Sequence, residues 1–178
     1  MLSADNVNQT DSTIKVYIDN WYQSNMTSYT SKLEDTIFCN DRSISDLGGW
    51  NPNGGDKTIS LQFKNYNLNS DLSCTNITDK FSVSNNKAKL TYPVGLLTSS
   101  ETYLLNNDNL RKTGEEYWLA SPCDFLYYIA YGRSVNTQGG GEATMPISTR
   151  GVRPAVSLTP GTEYTSGDGS KNSPYIVQ

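Results

Sequence analysis

One helical stripe near the start of the chain is followed only by short apolar runs, and this order constrains the fold more than any other feature. Four apolar residues recur there at helical spacing: Ile14, Ile18, Trp21 and Tyr22. Ser12 or Thr13 is a suitable N-cap for this helix. The alternative is a strand with Ile14, Val16 and Ile18 on one face, but Trp21 and Tyr22 continue the helical stripe and favour the helix.

Short runs separated by turn residues predict strands for most of the remaining chain. A second short helix is expected to hold Tyr29 and Leu33, and "TISLQFK" is either a short strand or part of a loop. "KFSVSNNKAKLTYPVGLL" is typical of a hairpin that turns at Asn85-Asn86. "YWLASP" and "RGVRPAVSL", bounded by Pro122 and Pro154, are typical of central strands.

Two glycine-rich turns and one capping motif complete the predicted elements. "SVNTQGGGEATMPI" is expected to turn at residues 139–141, and "TEYTSGDGSKNSPYIV" at residues 167–169. Thr98 with Glu101 forms a capping box before a short helix. Helices followed by short strands predict an α+β fold with one domain over residues 12–178, after a flexible segment of residues 1–11.

Composition argues against several classes of function. The formal net charge is −4 and Lys and Arg are not clustered, so we expect no nucleic-acid partner. No apolar run approaches the ~20 residues that a membrane helix needs, so direct membrane insertion is not expected. The chain has no histidine, which excludes serine–histidine and cysteine–histidine nucleophile pairs and histidine metal sites. Glu115 and Glu116 would point to opposite faces of a strand, and "DGSKNS" departs from a calcium-binding loop because Ser173 occupies its sixth place. We predict no catalytic residue, no metal site and no cofactor.

Cysteine placement leaves two alternatives open. Cys39 and Cys74 flank a loop-rich stretch, and they either form a disulfide, if the chain is exported, or remain free buried thiols. Cys123 is then unpaired. A low charged fraction of 18%, with plentiful Asn, Ser, Thr and Tyr, is typical of an extracellular surface.

Residues 117–138 concentrate aromatic side chains among small ones. Tyrosine next to small residues is what adaptable binding surfaces use, because it offers a large contact area with little rotamer entropy. The alternative is that Tyr127, Tyr128 and Tyr131 partly pack against the core. We interpret the segment as a binding surface.

The order of "EEYWLASP", "GRSVNTQGG" and "RGVRPAVSL" resembles C-type-lectin-fold domains of the formylglycine-generating-enzyme-like branch. "IDNWY", "FCNDRS", "KLTYPVGLLT" and "SGDGSKNSPYIV" resemble a surface-protein group of that branch from gut Firmicutes, so the resemblance spans most of residues 13–177. The branch includes the variable proteins of diversity-generating retroelements, which display hypermutated, ligand-binding residues just before the closing strand. The enzyme's copper-binding cysteine pair and the lectin calcium motifs have no counterpart in this sequence.

The resemblance implies a non-catalytic, C-type-lectin-like binding domain with its contact surface within about residues 121–147. Trp118 and the closing strand would be scaffold. The expected contact residues are Cys123, Asp124, Phe125, Tyr127, Tyr128, Tyr131, Arg133, Ser134 and Asn136, with Trp50 in the "GGWNPNGG" loop as a further candidate. The expected partner is a protein or another surface macromolecule, met outside the cell, at a cell surface or on a virion. The alternatives are a non-diversified adhesin or structural module of the same fold and, more remotely, an enzyme.

Overall fold

The computed structural model describes residues 10–43, 61–62, 72–105, 108–126, 129–170 and 172–177. The helices in this part of the chain are α1 (Thr13–Asn25), α2 (Ser99–Leu104), α3 (Asp108–Arg111) and two 3₁₀ helices, Thr27–Lys32 and Ile77–Asp79. The strands are β1 (Leu33–Glu34), β2 (Phe38–Cys39), β3 (Leu61–Gln62), β4 (Lys80–Phe81), β5 (Tyr117–Leu126), β6 (Ile129–Val135), β7 (Gly141–Thr144), β8 (Ser157–Leu158), β9 (Tyr164–Ser166) and β10 (Ile176–Val177).

The described strands form several small antiparallel sheets. A four-stranded sheet has the order β3-β5-β6-β7, and three separate pairs are β1–β8, β2–β4 and β9–β10. The mixture of helices and antiparallel sheets confirms the α+β prediction. No helix within the described ranges is both long enough and apolar enough to cross a membrane.

The first helix forms where the apolar stripe predicts it. The Ser12 hydroxyl accepts a hydrogen bond from the Lys15 backbone N–H at 3.2 Å, which satisfies one free donor of the first turn. Ile18 and Tyr22 are buried. The predicted second helix is a 3₁₀ helix that ends at Lys32. Leu33 is not part of it because this residue pairs with Leu158 in the β1–β8 ladder.

Strand β5 is the centre of the core and is buried on both faces over its first half. On one face Trp118 packs with Ile18, Tyr22, Val94 and Leu96. On the other face Tyr117 and Leu119 pack with Val135. The strand was predicted to end at Pro122, but it continues to Leu126, with a shift of register on each side of Pro122.

The hairpin predicted for residues 80–97 is wrong. Strand β4 pairs with β2, and after it the chain turns back to make only one isolated bridge, between Ser82 and Lys89. The Asn85 side-chain amide donates to the carbonyls of Ile77 and Lys80 at 2.8 and 2.6 Å, and this local bonding competes with a ladder. The turn is nevertheless close to its predicted place, since the Ala88 N–H donates to the Asn85 carbonyl.

The closing segment is also not the central strand that its apolar residues predict. Gly151 and Ala155 make only isolated bridges, and residues 157–158 alone form β8. Proline has no N–H to donate, so Pro154 interrupts a continuous ladder. Val152 and Val156 instead pack against the Trp118 core.

The two glycine turns are confirmed. Strands β6 and β7 are joined through Gly139, whose φ of +86° is a left-handed conformation that favours glycine. Gly167 has a φ of +100° beside the end of β9, in the last hairpin. The capping box is confirmed as well, because Thr98 and Glu101 bond each other's backbone N–H groups at the start of α2.

Candidate binding surface

The predicted contact residues are carried mainly by the hairpin of β5 and β6. Asp124 lies directly opposite Tyr131 in the ladder, and Phe125 lies opposite Ala130. Arg133 is two residues beyond Tyr131 and therefore shares its face of the sheet. The Phe125 side chain and the whole of Trp50, Tyr127 and Tyr128 lie outside the described residues.

The side chains of β6 become more exposed from Val135, at its C-terminal end, to Ile129, at its N-terminal end. Val135 is 1% exposed, whereas Ile129 is 38% exposed. Ala130 is also exposed, and Tyr131 is partly buried. The hairpin therefore has a buried base and an exposed outer end, which we define as residues 129–131.

Two predicted contact residues lie beneath the surface. Cys123 and Ser134 are fully buried, so neither side chain is available to a partner in this structure, and the expectation of direct contact does not hold for them. Cys123 lies at the irregularity between Pro122 and Asp124 and has no opposite residue in β6. The Ser134 and Thr144 hydroxyls share a hydrogen bond of 2.6 Å, which joins β6 to β7 inside the sheet.

Asn136 organises a turn. Its Oδ1 accepts the N–H groups of Gln138 and Gly140 at 3.0 and 2.8 Å, and its Nδ2 donates to Glu142 Oε1 at 2.9 Å. These bonds occupy both ends of the amide. We therefore assign Asn136 to the support of the β6–β7 turn and no longer expect it to be a free contact group.

Asp124 and Arg133 are buried as well, with 8% and 9% of their surfaces accessible, and they carry opposite charges beside the exposed end. Burial raises the pKa of the Asp124 carboxyl, although the Arg133 guanidinium opposes the shift. Within the described structure, Asp124 Oδ1 is buried and has no hydrogen-bond partner. Removing a carboxylate from water without hydrogen bonds is costly, and this cost is the reason for the shift.

The neighbouring Cys123 thiol has low reactivity. Burial raises the pKa of Cys123 to about 11; Arg133 lowers it and Asp124 raises it further. A thiol with that pKa is protonated at neutral pH, and the protonated form is a poor nucleophile and metal ligand. This places Cys123 in the scaffold beneath the surface.

Replacing Asp124 by asparagine should change how stability depends on pH. The folded pKa lies above the unfolded value of ~3.9, so the folded state binds more protons between the two values. The carboxyl's contribution to the free energy of unfolding therefore falls as pH rises through this window. We therefore expect wild type to lose stability relative to Asp124→Asn as pH rises from about 3 to 7. Urea midpoints of the two proteins measure this change in the free energy of unfolding.

Asp168→Asn supplies a control of opposite sign. Asp168 is exposed, and hydrogen bonds from the Ser170 backbone and hydroxyl lower its pKa. A lowered pKa gives stability that is present above the unfolded value and is lost as pH falls. Wild type should therefore gain stability relative to Asp168→Asn as pH rises. The same pH slope for both variants would contradict the assignment of Asp124 as the desolvated carboxyl.

At the base of the hairpin, Gly132 lies close to the Trp118 ring, and this contact was not predicted from the sequence. A Cβ atom on Gly132 would lie 3.3 Å from the Trp118 ring, so glycine at this position leaves room for the indole beside β6. Two exposed apolar residues after β7, Met145 and Ile147, were also not singled out from the sequence, and Ile147 is 88% exposed. Their signal is an apolar pair flanking Pro146 in an otherwise polar loop.

Within the described residues, no group of three or more Cys, Asp or Glu side chains is placed to hold a metal ion. Comparisons with protein-family models, curated proteins and solved structures found no match to this chain.

Proposed function

We propose that the chain is a non-catalytic display domain that binds a protein or another surface macromolecule through the outer end of the β5–β6 hairpin. The observation that carries this proposal is the gradient of burial along β6, from a fixed base at Val135 to an exposed end at Ile129. Pairing with β5 and a buried base hold Ile129 and Tyr131 in position before a partner binds, which reduces the entropic cost of association.

The chemistry of the outer end suits macromolecular recognition. Ile129 and Tyr131 supply apolar and aromatic area, and Asp124 with Arg133 lies next to them at the edge of the buried region. Protein interfaces concentrate binding energy in a few such anchors, while nearby charges govern partner choice and association rate. Tyr127 and Tyr128 fall between β5 and β6 in the sequence and are candidates for further anchors.

The finer fold that we propose is C-type-lectin-like, as the sequence resemblance implies. Two features support this proposal. The closing segment returns to the early part of the chain through the β1–β8 pair, and helix α1 packs on the Trp118 core that carries the hairpin. In this proposal, α1 and the β1–β8 pair belong to the scaffold that supports residues 121–147.

We further propose an extracellular or surface location and a diversified hairpin. The structure has a disulfide between Cys39 and Cys74, and disulfides persist in oxidising compartments. Diversification mutates the adenines of AAY codons, where Y is a pyrimidine, and the resulting NNY codons never encode Lys, Glu, Gln, Met or Trp. Residues 121–137 contain none of these five. The surrounding DNA tests diversification: a nearby reverse transcriptase gene and a template repeat of residues about 120–150 are expected. Their absence would favour the adhesin alternative.

The binding test removes both described anchors while leaving the base of the hairpin intact. A domain with Ile129→Ser and Tyr131→Ser should bind the partner isolated from host-surface extract at least ~10-fold more weakly than wild type, because interface anchors carry most of the energy. Affinity is measured by titration, and a cooperative urea transition shows that the variant remains folded. Tyr103→Ser is the matched control, since Tyr103 is an exposed tyrosine on α2.

Two outcomes would contradict the proposal. Retained affinity in the double variant would place the binding surface elsewhere on the molecule. Equal loss in Tyr103→Ser would show a general surface effect with no specific site on the hairpin. We also expect binding to survive chelation of divalent metal, and release of the partner by chelator alone would contradict the metal-free assignment.

A further inference from the structure

A second exposed apolar segment lies beside the outer end of the β5–β6 hairpin. Gly132 pairs with Thr144 where the β6–β7 ladder ends, and Tyr131 and Met145 each lie one residue beyond that pair. The geometry of antiparallel strands keeps the Cα atoms of these two residues within about 13 Å of each other. Residues 145–147, which we call the apolar turn, are all exposed. The apolar turn therefore extends the exposed surface of residues 129–131.

A hydrogen bond fixes the position of Ile147 at this turn. The Ser148 N–H donates to the Met145 carbonyl at 2.9 Å, which closes a four-residue turn with Pro146 in second place and Ile147 in third. Proline suits the second place because its ring fixes φ. The Ile147 side chain is 88% exposed, the largest exposure of any large hydrophobic side chain in the described part of the molecule. Ile147 therefore adds apolar surface to the protein without adding to its core.

The surface formed by the apolar turn and the outer end carries no charge of its own. Residues 129–131 and 143–149 contain no Asp, Glu, Lys or Arg. Glu142, the charged residue of β7, accepts a hydrogen bond from Asn136. Neighbouring exposed apolar residues mark interaction sites, whereas single ones are normal on any surface. An uncharged surface complements an apolar one, because a charged group buried against it would be left without a partner.

A protein suits this surface better than a membrane does. Segments that bind membrane surfaces combine apolar residues with Lys and Arg, which attract anionic lipids. Residues 129–131 and 143–149 lack both, and the formal net charge of the chain is −4. We propose, in an inference that rests on the proposed hairpin interface, that the partner is a protein and that Ile147 enters an apolar recess on it. The outer end of the hairpin then contacts the surface around that recess.

Substitutions at Ile147 test this proposal with little effect on the fold, because the side chain is exposed. The probe is the protein that the wild-type domain retains from host-surface extract, purified and titrated against each variant. Ile147→Val should weaken binding about fourfold, the value for one buried methylene. Ile147→Thr has nearly the same shape as Ile147→Val, but it should bind about tenfold more weakly still, because an apolar recess leaves its hydroxyl without a hydrogen bond. Ile77→Val and Ile77→Thr are the matched controls and should bind as wild type does, since Ile77 is 53% exposed and lies outside residues 121–147.

Several results would contradict the proposal. Equal affinities of Ile147→Val and Ile147→Thr would reject an apolar recess, and wild-type affinity in both would reject contact at Ile147. Retention of no protein from the extract, or binding to vesicles of phosphatidylcholine and phosphatidylglycerol that Ile147→Thr abolishes, would reject a protein partner.

The variants also separate failure of this inference from failure of the hairpin interface. If Ile129→Ser with Tyr131→Ser weakens binding and the Ile147 variants do not, the hairpin interface stands and this inference fails. If neither set of variants changes the affinity, both fail.

Discussion

Replacing Trp118 by alanine should lower the free energy of unfolding by ~3–5 kcal/mol, the usual cost of removing a large aromatic side chain from a core. The indole is buried and packs with residues of α1 and of the segment before α2, and it also lies against Gly132 of β6. Its removal leaves a cavity where these elements meet. Urea midpoints, with the slope of the transition checked for two-state behaviour, measure the loss.

Ile129→Ser and Gly132→Ala test the division between scaffold and display surface. Ile129 is 38% exposed, and its replacement should cost less than ~1 kcal/mol. Gly132→Ala should destabilise wild type because the added methyl meets the Trp118 ring, and it should cost less in the Trp118→Ala background, where the ring is absent. Equal losses from Trp118→Ala and Ile129→Ser would show that the hairpin is not built on a fixed base.

The parts of the fold that the sequence predicted are those specified by neighbouring residues. Ser12 lies three residues before the N–H that it caps, and Thr98 and Glu101 form their box within a single turn. Gly139 and Gly167 mark turns because their backbone conformation is costly for other residues. These signals act over a few residues and need no knowledge of the rest of the chain.

Local sequence signals could not specify which distant strands pair with each other. Phe81 and Val83 have the alternating pattern of a hairpin strand, yet Lys80 and Phe81 pair with Cys39 and Phe38. Short ladders of this kind gain little from their own hydrogen bonds. Which strands pair is determined instead by neighbouring contacts, here the disulfide and the hydrogen bonds between Arg42 and Asp79. The closing segment was likewise predicted to be a central strand, but its Val152 and Val156 are only partly buried against the core, and such packing does not require a ladder.

The sequence predicted where the candidate site lies, but not that two paired strands carry it. Aromatic and small residues marked residues 117–138 as a binding surface, and "SVNTQGGG" marked the turn that follows, but the strand was expected to end at Pro122 and the pairing of β5 with β6 was not predicted. Which side chains face outwards depends on register, and a shift of one residue moves a side chain to the other face. The irregularities around Pro122 are such shifts, so the burial of Cys123 could not be read from alternation.

Replacing Cys39 and Cys74 together by serine should lower the free energy of unfolding by about 4 kcal/mol, the chain-entropy value for a loop of this length. The bond joins β2 to the segment before the second 3₁₀ helix across a sequence separation of 35 residues. Its main effect is on the unfolded chain, which gains conformational freedom when the cross-link is removed. Urea unfolding of the oxidised wild type and the double variant measures the difference.

The double variant should still reach the same folded structure, because a second clamp joins the same two segments. The Arg42 side chain donates to Asp79 Oδ1 at 2.7 Å, its backbone N–H donates to Oδ2 at 3.1 Å, and Asp79 is buried. Breaking such a buried pair is costly, so this clamp holds β2 and β4 together once the chain has folded. Dithiothreitol should destabilise wild type towards the double variant and leave the double variant unchanged, since Cys123 is free and buried. A loss below ~1 kcal/mol would mean that the unfolded chain is already closed at these residues without the bond.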